Sequence, residues 1–190
     1  MVVPPSGGKW DAVGHSGMFM GTFQLKLDDK GRLSIPGRFR EILHTTYQPT
    51  LQQNTPELVL SSIGSRISVY PRAEWETLAA ILTETCSMPG LHQDARDLYH
   101  VLFGNAAECA LDTQGRILVP PHLRTKAQLN GDVVIVGLNR HFDIWGRTAW
   151  EDYQRSLHGR EEEIAQKIFE LRDARVSRPE LFRDGLRPPL

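Results

Sequence analysis

One fourteen-residue pattern occurs twice in this chain, and that repetition constrains the fold more than any other feature. Residues 27–40 read Leu-Asp-Asp-Lys-Gly-Arg-Leu-Ser-Ile-Pro-Gly-Arg-Phe-Arg, and residues 111–124 read Leu-Asp-Thr-Gln-Gly-Arg-Ile-Leu-Val-Pro-Pro-His-Leu-Arg. Their common skeleton is L-D-x-x-G-R-h-x-h-P-x-x-h-R, with h apolar, at an offset of 84 residues. A second match follows each copy: Ile67 to Glu76 aligns with Phe142 to Glu151 at an offset of 75. Two matches in the same order identify a tandem duplication, and a repeat of this kind governs the fold that follows.

Each copy predicts the same succession of elements. Phe23, Leu25 and Leu27 alternate as one face of a strand, Asp28-Asp29-Lys30-Gly31 marks a turn, and Leu33-Ser34-Ile35 returns as the second arm of a hairpin. A short helix follows Pro36. Strands at Leu58–Leu60 and Ile67–Tyr70 come next, and then a helix carrying Trp75, Leu78 and Leu82. The second copy repeats the plan from its turn at Asp112-Thr113-Gln114-Gly115, through a short helix opening at Pro121 and closing at Asn130-Gly131. Strands at Val133–Val136 and Phe142–Trp145 and a helix with Trp150, Tyr153 and Leu157 complete it.

The predicted organisation is a disordered leader over residues 1–17 and a first repeat over 18–86. An inter-repeat helix over 87–104, a second repeat over 105–158 and a C-terminal helix and tail over 159–190 follow. Met18 is a candidate initiator after a Pro-, Gly- and Ser-rich stretch, and the chain is expected to fray after Arg178-Pro179. Ile164, Ile168 and Leu171, after Glu161-Glu162-Glu163, predict an amphipathic terminal helix. A β-β-α-β-β-α unit of this size holds too little core to stand alone. Two such units together can close strands into a small barrel and remove exposed edges, which makes the expected class α+β.

Several function classes drop out. The chain has 190 residues with a net charge of −1, which argues against a protein that coats nucleic acid nonspecifically. Cys86 and Cys109 lack metal spacing and read as small buried hydrophobes in a reducing compartment. The longest apolar run, Val133 to Leu138, suits a strand rather than a membrane span, and the first residues lack a signal-peptide pattern, so a cytoplasmic location is expected. Gly14-His15-Ser16-Gly17-Met18 misses the second glycine of a nucleophile elbow, and no dinucleotide, phosphate-loop or zinc-protease motif occurs. His92 and His100 stand two helical turns apart, too far for one metal. No enzyme activity, catalytic residue, metal, cofactor or small-molecule substrate is expected.

What stands out is the pair of D-x-x-x-R turns, Asp28 with Arg32 and Asp112 with Arg116. Asp28, Gly31, Asp112 and Gly115 read as structural: a carboxylate flanking a turn accepts from turn amides or the guanidinium, and glycine takes positive φ. The cations read differently. Lys26, Lys30, Arg32, Arg38 and Arg40 face Asp28, Asp29 and Glu41 in the sequence, leaving residues 26–41 with a net charge of +2. Arginine bonds guanine O6 and N7 in bidentate fashion, and lysine places a point charge on phosphate.

At these residues the chain resembles the MraZ family of bacterial regulators, encoded at the head of the division and cell-wall gene cluster. The resemblance rests on Met18-Phe19-x-Gly21, Leu27-Asp28-x-Lys30-Gly31-Arg32-Leu33-Ser34-Ile35-Pro36, Arg38-Phe39-Arg40 and Tyr70-Pro71-x-x-Glu74-Trp75. In the second half it rests on Asp112-x-x-Gly115-Arg116-Ile117 and Trp145-x-x-x-x-Trp150. It spans about Met18 to His158 and leaves out residues 1–17 and the segment beyond about residue 160. It implies an AbrB-like fold, two swapped-hairpin halves fused as a pseudo-twofold β-barrel. It also implies a ring-shaped homo-oligomer on direct repeats of double-stranded promoter DNA, hence a nucleoid-associated transcriptional regulator of its own gene cluster. DNA contacts carry over to Arg32, then to Lys30, Arg38 and Arg40, with Arg116 as their second-copy counterpart; Gln114 stands where the first copy has Lys30. The rival expectation is a ring-forming assembly or adaptor protein that binds a protein partner.

Overall fold

In each repeat the first strand leaves its own copy and completes the other. The computed structural model describes residues 17–47, 57–86 and 92–177. Their elements are β1 (Phe19–Lys26), β2 (Arg32–Ser34), α1 (Gly37–Thr46), β3 (Glu57–Ile63), β4 (Arg66–Pro71), α2 (Arg72–Cys86) and α3 (His92–Phe103). The second copy contributes β5 (Ala107–Ala110), β6 (Arg116–Leu118), α4 (Pro121–Lys126), β7 (Asp132–Asn139), β8 (His141–Gly146), α5 (Arg147–Leu157) and α6 (Glu161–Ser177). The antiparallel strands form a six-stranded sheet in the order β1-β7-β8-β4-β3-β5 and a separate two-stranded sheet, β2-β6. β1 pairs with β7 of the other repeat from Phe19↔Asn139 to Lys26↔Asp132, and β5 pairs with β3 from Glu57↔Ala110 to Leu60↔Ala107.

This corrects two expectations. β1 and β2 do not form a two-stranded hairpin: after the turn only a single bridge, Leu27↔Leu33, joins them, and the chain crosses to another sheet. The barrel is not closed either, because β1 and β5 lie at opposite ends of an open strand order. The reason lies in side-chain alternation. Leu33 and Ile117 point inward with 0% exposure while their neighbours Arg32, Ser34, Arg116 and Leu118 point outward, so each short strand lays its central apolar residue on the common core.

Register places a pseudo-twofold axis through the molecule. Leu33 and Ile117 are equivalent in the two repeats and sit directly opposite one another in β2-β6. Ser68 and Asp143 are likewise equivalent and oppose one another in β4-β8. Between these points lies the main core, where Phe19, Phe39 and Phe142 meet with ring centroids 5.1–5.4 Å apart beside Leu58, Ile117 and Leu123. Burial of a large apolar side chain contributes roughly 1.5–3 kcal/mol, so this shared cluster holds the two repeats to one another. A second cluster of Val59, Trp75, Leu82 and Leu102 seats α2 and α3 on the other side of β3.

At the axis Asp143 is buried. Ser68 Oγ donates to its Oδ1 at 2.6 Å and Arg66 Nε lies 3.1 Å from Oδ2. Burial raises the Asp143 carboxyl above its ordinary value, opposed by the Ser68 hydrogen bond and the Arg66 charge. Cys109 packs against the main core, and burial pushes its thiol up to about 12.

Among the described residues, those from Trp150 to Ser177 form a second unit. The side chains of residues 161–170 are all exposed. The one-sided stripe expected of α6 is weak, because Ala165 and Phe169 spread apolar surface around the helix from the Ile164–Ile168 row. α4 ends at Lys126, earlier than the expected Asn130-Gly131 stop. The expected leader falls almost wholly on residues 1–16, and the helix break at Ser87-Met88-Pro89-Gly90 and the frayed end after Arg178 likewise lie outside the described residues.

Candidate nucleic-acid interface

Both D-x-x-x-R turns close in the same way. In the first, the Asp28 amide donates to Arg32 O at 3.0 Å and the Gly31 amide to Asp28 O at 2.8 Å. The Asp28 side chain then accepts from the amides of Lys30 (3.0 Å) and Arg32 (2.7 Å) through Oδ1, and from Arg32 Nε (2.7 Å) through Oδ2. In the second, Asp112 accepts from the amides of Gln114 (2.8 Å) and Arg116 (3.0 Å) and from Arg116 Nε (2.8 Å). The backbone hydrogen bond from Arg32, with the Arg32 side chain and the Lys30 amide, holds the Asp28 carboxyl below its ordinary value, against an opposing cost of desolvation second only to that backbone bond. Arg116 and Gln114 do the same for Asp112. A carboxylate satisfied by turn amides is a strong conformational lock on the arginine it holds.

The two turns are tied into one ribbon. Val119 N donates to Gly31 O at 2.8 Å, and Ile35 N donates to Gly115 O at 3.0 Å, so the turns sit at opposite ends of β2-β6. Arg124 of the second repeat lies across Gly31, and Arg40 of the first lies across Gly115. A Cβ on Gly31 would come within 2.7 Å of Arg124 Cζ, and one on Gly115 within 2.4 Å of Arg40 Cδ. Both glycines also take positive φ, +80° and +72°. Each turn is thus clasped by the last arginine of the other repeat's motif. Arg124 Nε is buried and has no hydrogen-bond partner among the described residues.

The outward face of the ribbon carries Arg32, Ser34, Arg116 and Leu118, with Arg32 opposite Leu118 and Ser34 opposite Arg116. Arg32 uses Nε, and Arg116 Nε and Nη2, to hold their aspartates. A guanidinium has five N–H donors, so each arginine retains donors for a ligand. Lys30 is exposed at the tip of the first turn, with Gln114 in its place on the second, and Arg38 is exposed on α1, where the second copy has His122. The structure therefore places Lys30, Arg32 and Arg116 on the ribbon and its turns and Arg38 on the helix that follows β2, and gives Arg40 the additional task of holding Gly115. Sequence reasoning counted Arg124 only as a cation equivalent to Arg40 and passed over Leu118. Arg124 was detectable as the closing residue of the repeated skeleton; Leu118 carried no signal until its outward direction was known.

Among the described residues no group of three or more His, Cys, Asp or Glu side chains is arranged to hold a metal ion, and no helix is long and apolar enough to cross a membrane.

A family model described as "MraZ protein, putative antitoxin-like" matches residues 18–98 and 102–171. The chain is 37% identical over 155 residues to the "Transcriptional regulator MraZ" of Roseiflexus sp. (strain RS-1), covering 82% of this chain and 99% of that protein. It is 38% identical over 153 residues to the protein of that name from Heliobacterium modesticaldum, covering 80% and 98%. The Lactiplantibacillus plantarum protein of that name is 35% identical over 153 residues, covering 80% and 99%. This chain belongs to the MraZ family.

Proposed function

We propose that this member of the MraZ family is a transcriptional regulator that grips double-stranded promoter DNA with the β2-β6 ribbon and its two D-x-x-x-R turns. The observation that carries this reading is the ribbon itself: two locked arginines, one from each repeat, on the outward face of a two-stranded antiparallel sheet. The major groove admits a two-stranded ribbon of this kind. Arg32 and Arg116 face the base edges, and Lys30, Arg38 and Arg40 lie toward the phosphates, where each cation neutralised releases counterions. The exchange of first strands between repeats supports an AbrB-like, swapped-hairpin architecture for the DNA-binding half.

The DNA is the promoter of the chain's own division and cell-wall gene cluster, as the family resemblance implies, and the protein acts there, with the nucleoid, as a ring-shaped homo-oligomer on direct repeats. Exposed apolar side chains on α2, α3 and α6 (Ile81, Leu98, Val101, Ile164 and Ile168) supply surface for contacts between copies. A ring presents many copies of one ribbon, so individually weak contacts add through high effective concentration.

Titrating the protein onto duplex DNA from upstream of its own gene tests the reading. Binding should weaken by orders of magnitude between about 50 and 200 mM salt, as expected of several phosphate contacts. Native mass measurement alongside should give a multiple of the 21.5 kDa chain. Absence of binding, or binding indifferent to salt, would favour a ring whose partner is another protein.

A further inference from the structure

We infer that Leu118 is a specificity-determining residue, packing against the 5-methyl group of thymine in the DNA that the ribbon holds. The inference rests on the DNA-binding reading above and goes beyond it by assigning one side chain to one chemical group. Leu118 is 55% exposed although it lies in a β-strand, because its neighbours Ile117 and Val119 take the inward positions at 0% exposure. Single exposed leucines are common on protein surfaces, so exposure alone carries nothing. Its position carries the argument. Leu118 stands directly opposite Arg32, and Arg116 lies two residues away along its own strand, so the apolar side chain is set between two locked guanidinium groups. Directly opposed side chains in an antiparallel pair have Cβ atoms about 5 Å apart. An apolar group amid arginines matches a surface where polar acceptors and a methyl group alternate. The major-groove edge has that character, with guanine O6 and N7 beside the thymine methyl.

The repeats make the assignment sharper. The residue equivalent to Leu118 is Ser34, exposed opposite Arg116. A serine hydroxyl bonds donors and acceptors alike and so discriminates little among bases, whereas a leucine gains only where a methyl is present. A ribbon with identical halves would read a palindrome, because site symmetry mirrors protein symmetry. With leucine on one half and serine on the other, the ribbon fits its site in one direction only.

The test uses the full-length protein and the upstream duplex in two forms, one natural and one carrying deoxyuridine at every thymine, which removes the methyl groups and leaves the hydrogen-bonding pattern intact. The wild-type chain should bind the thymine duplex about fourfold more tightly per contacted methyl, the equivalent of one buried methylene. Leu118→Ser should bind both duplexes alike, at the wild-type affinity for the deoxyuridine form, with unchanged native mass. Equal wild-type affinity for the two duplexes would overturn the inference, as would a Leu118→Ser protein that keeps the full thymine preference. A Leu118→Ser protein whose oligomer falls apart would overturn it too, assigning the residue to contacts between copies. Binding to neither duplex would remove the DNA reading and this inference together, an outcome distinct from equal binding to both.

Discussion

The two turns at the ends of the ribbon share one backbone and differ in what they show to solvent. Asp28 and Asp112 hold their turns by the same three hydrogen bonds, all between 2.7 and 3.0 Å. Gly31 and Gly115 take the same left-handed φ under an arginine from the opposite copy. Yet Lys30 is replaced by Gln114, Arg38 by His122 and Ser34 by Leu118 at the equivalent positions of the second copy. After duplication, residues that fix backbone geometry stay tied to the fold, because each satisfies a donor or fills a space that nothing else can. The exposed positions that differ are under no such constraint from the turn geometry. The copies therefore agree where the backbone is fixed and differ where the side chains are exposed.

The axis offers the most severe way to break the equivalence. Ser68→Asp would restore sequence symmetry opposite Asp143 and place two carboxylates within hydrogen-bonding distance in a buried site. The expected cost is about 3 kcal/mol near neutral pH, read as a lower midpoint in denaturant unfolding. The loss should ease as pH falls and the pair takes up a proton, since like-charged carboxyls in one site raise one another's pKa. Undiminished stability at pH 7 would show that the axis is open enough to hydrate both charges.

Gly31→Ala and Gly115→Ala follow in size. Each forces a Cβ into positive φ and against an arginine side chain, the guanidinium of Arg124 at Gly31 and the stem of Arg40 at Gly115, at a cost of about 1–3 kcal/mol. Thermal unfolding should give similar losses for the two, because the scaffold is the same at both ends. A large inequality would mean that only one clasp bears on stability.

Exchanging the turn tips sharpens the comparison on the binding side. Lys30→Gln should lower the slope of log affinity against log salt by about one per ribbon engaged, and Gln114→Lys should raise it by a similar amount. Slopes measured by fluorescence anisotropy at four or five salt concentrations decide this, and unchanged slopes would place both tips away from the phosphates.

The smallest effect concerns acid. Both turn aspartates titrate below the ordinary value of 3.8, so the folded state favours their ionised form. Their stabilisation is complete above that value and is lost as pH falls through their depressed folded values. The ribbon should therefore be indifferent to pH from 5 to 8 and loosen only below about pH 4. Amide exchange at Arg32 and Arg116 checks this, and Asp28→Asn or Asp112→Asn should flatten the acid response of its own turn.

Much of this arrangement was legible in the sequence because repetition exposes it. The order of elements, both tight turns and the equivalence of Leu33 with Ile117 follow from two aligned copies. The partner of each strand does not. Asp28-Asp29-Lys30-Gly31 has the chemistry of a hairpin turn, and the turn forms, but its flanking strands part after the bridge between Leu27 and Leu33. Pairing is decided by which apolar faces the second repeat offers, and those become available only when both copies fold together. Arg40 illustrates the same limit. A charged residue at the start of a helix reads as a ligand contact, whereas its stem lies over Gly115, 75 residues onward in the chain. Periodicity cannot register a contact made between copies.

The most direct measurement is the affinity of Arg32→Ala and Arg116→Ala for the upstream duplex, by fluorescence anisotropy, with native mass recorded for each. A groove-reading arginine contributes roughly 1–3 kcal/mol per contact, multiplied over the ribbons engaged on one DNA. Arg32→Ala should nearly abolish binding while leaving the oligomer intact, and Arg116→Ala should weaken it less, because the tip of its turn carries Gln114 where the first carries Lys30. Wild-type affinity in both variants, or a larger loss from Arg116→Ala in an intact oligomer, would contradict the account and move the DNA grip away from the first turn.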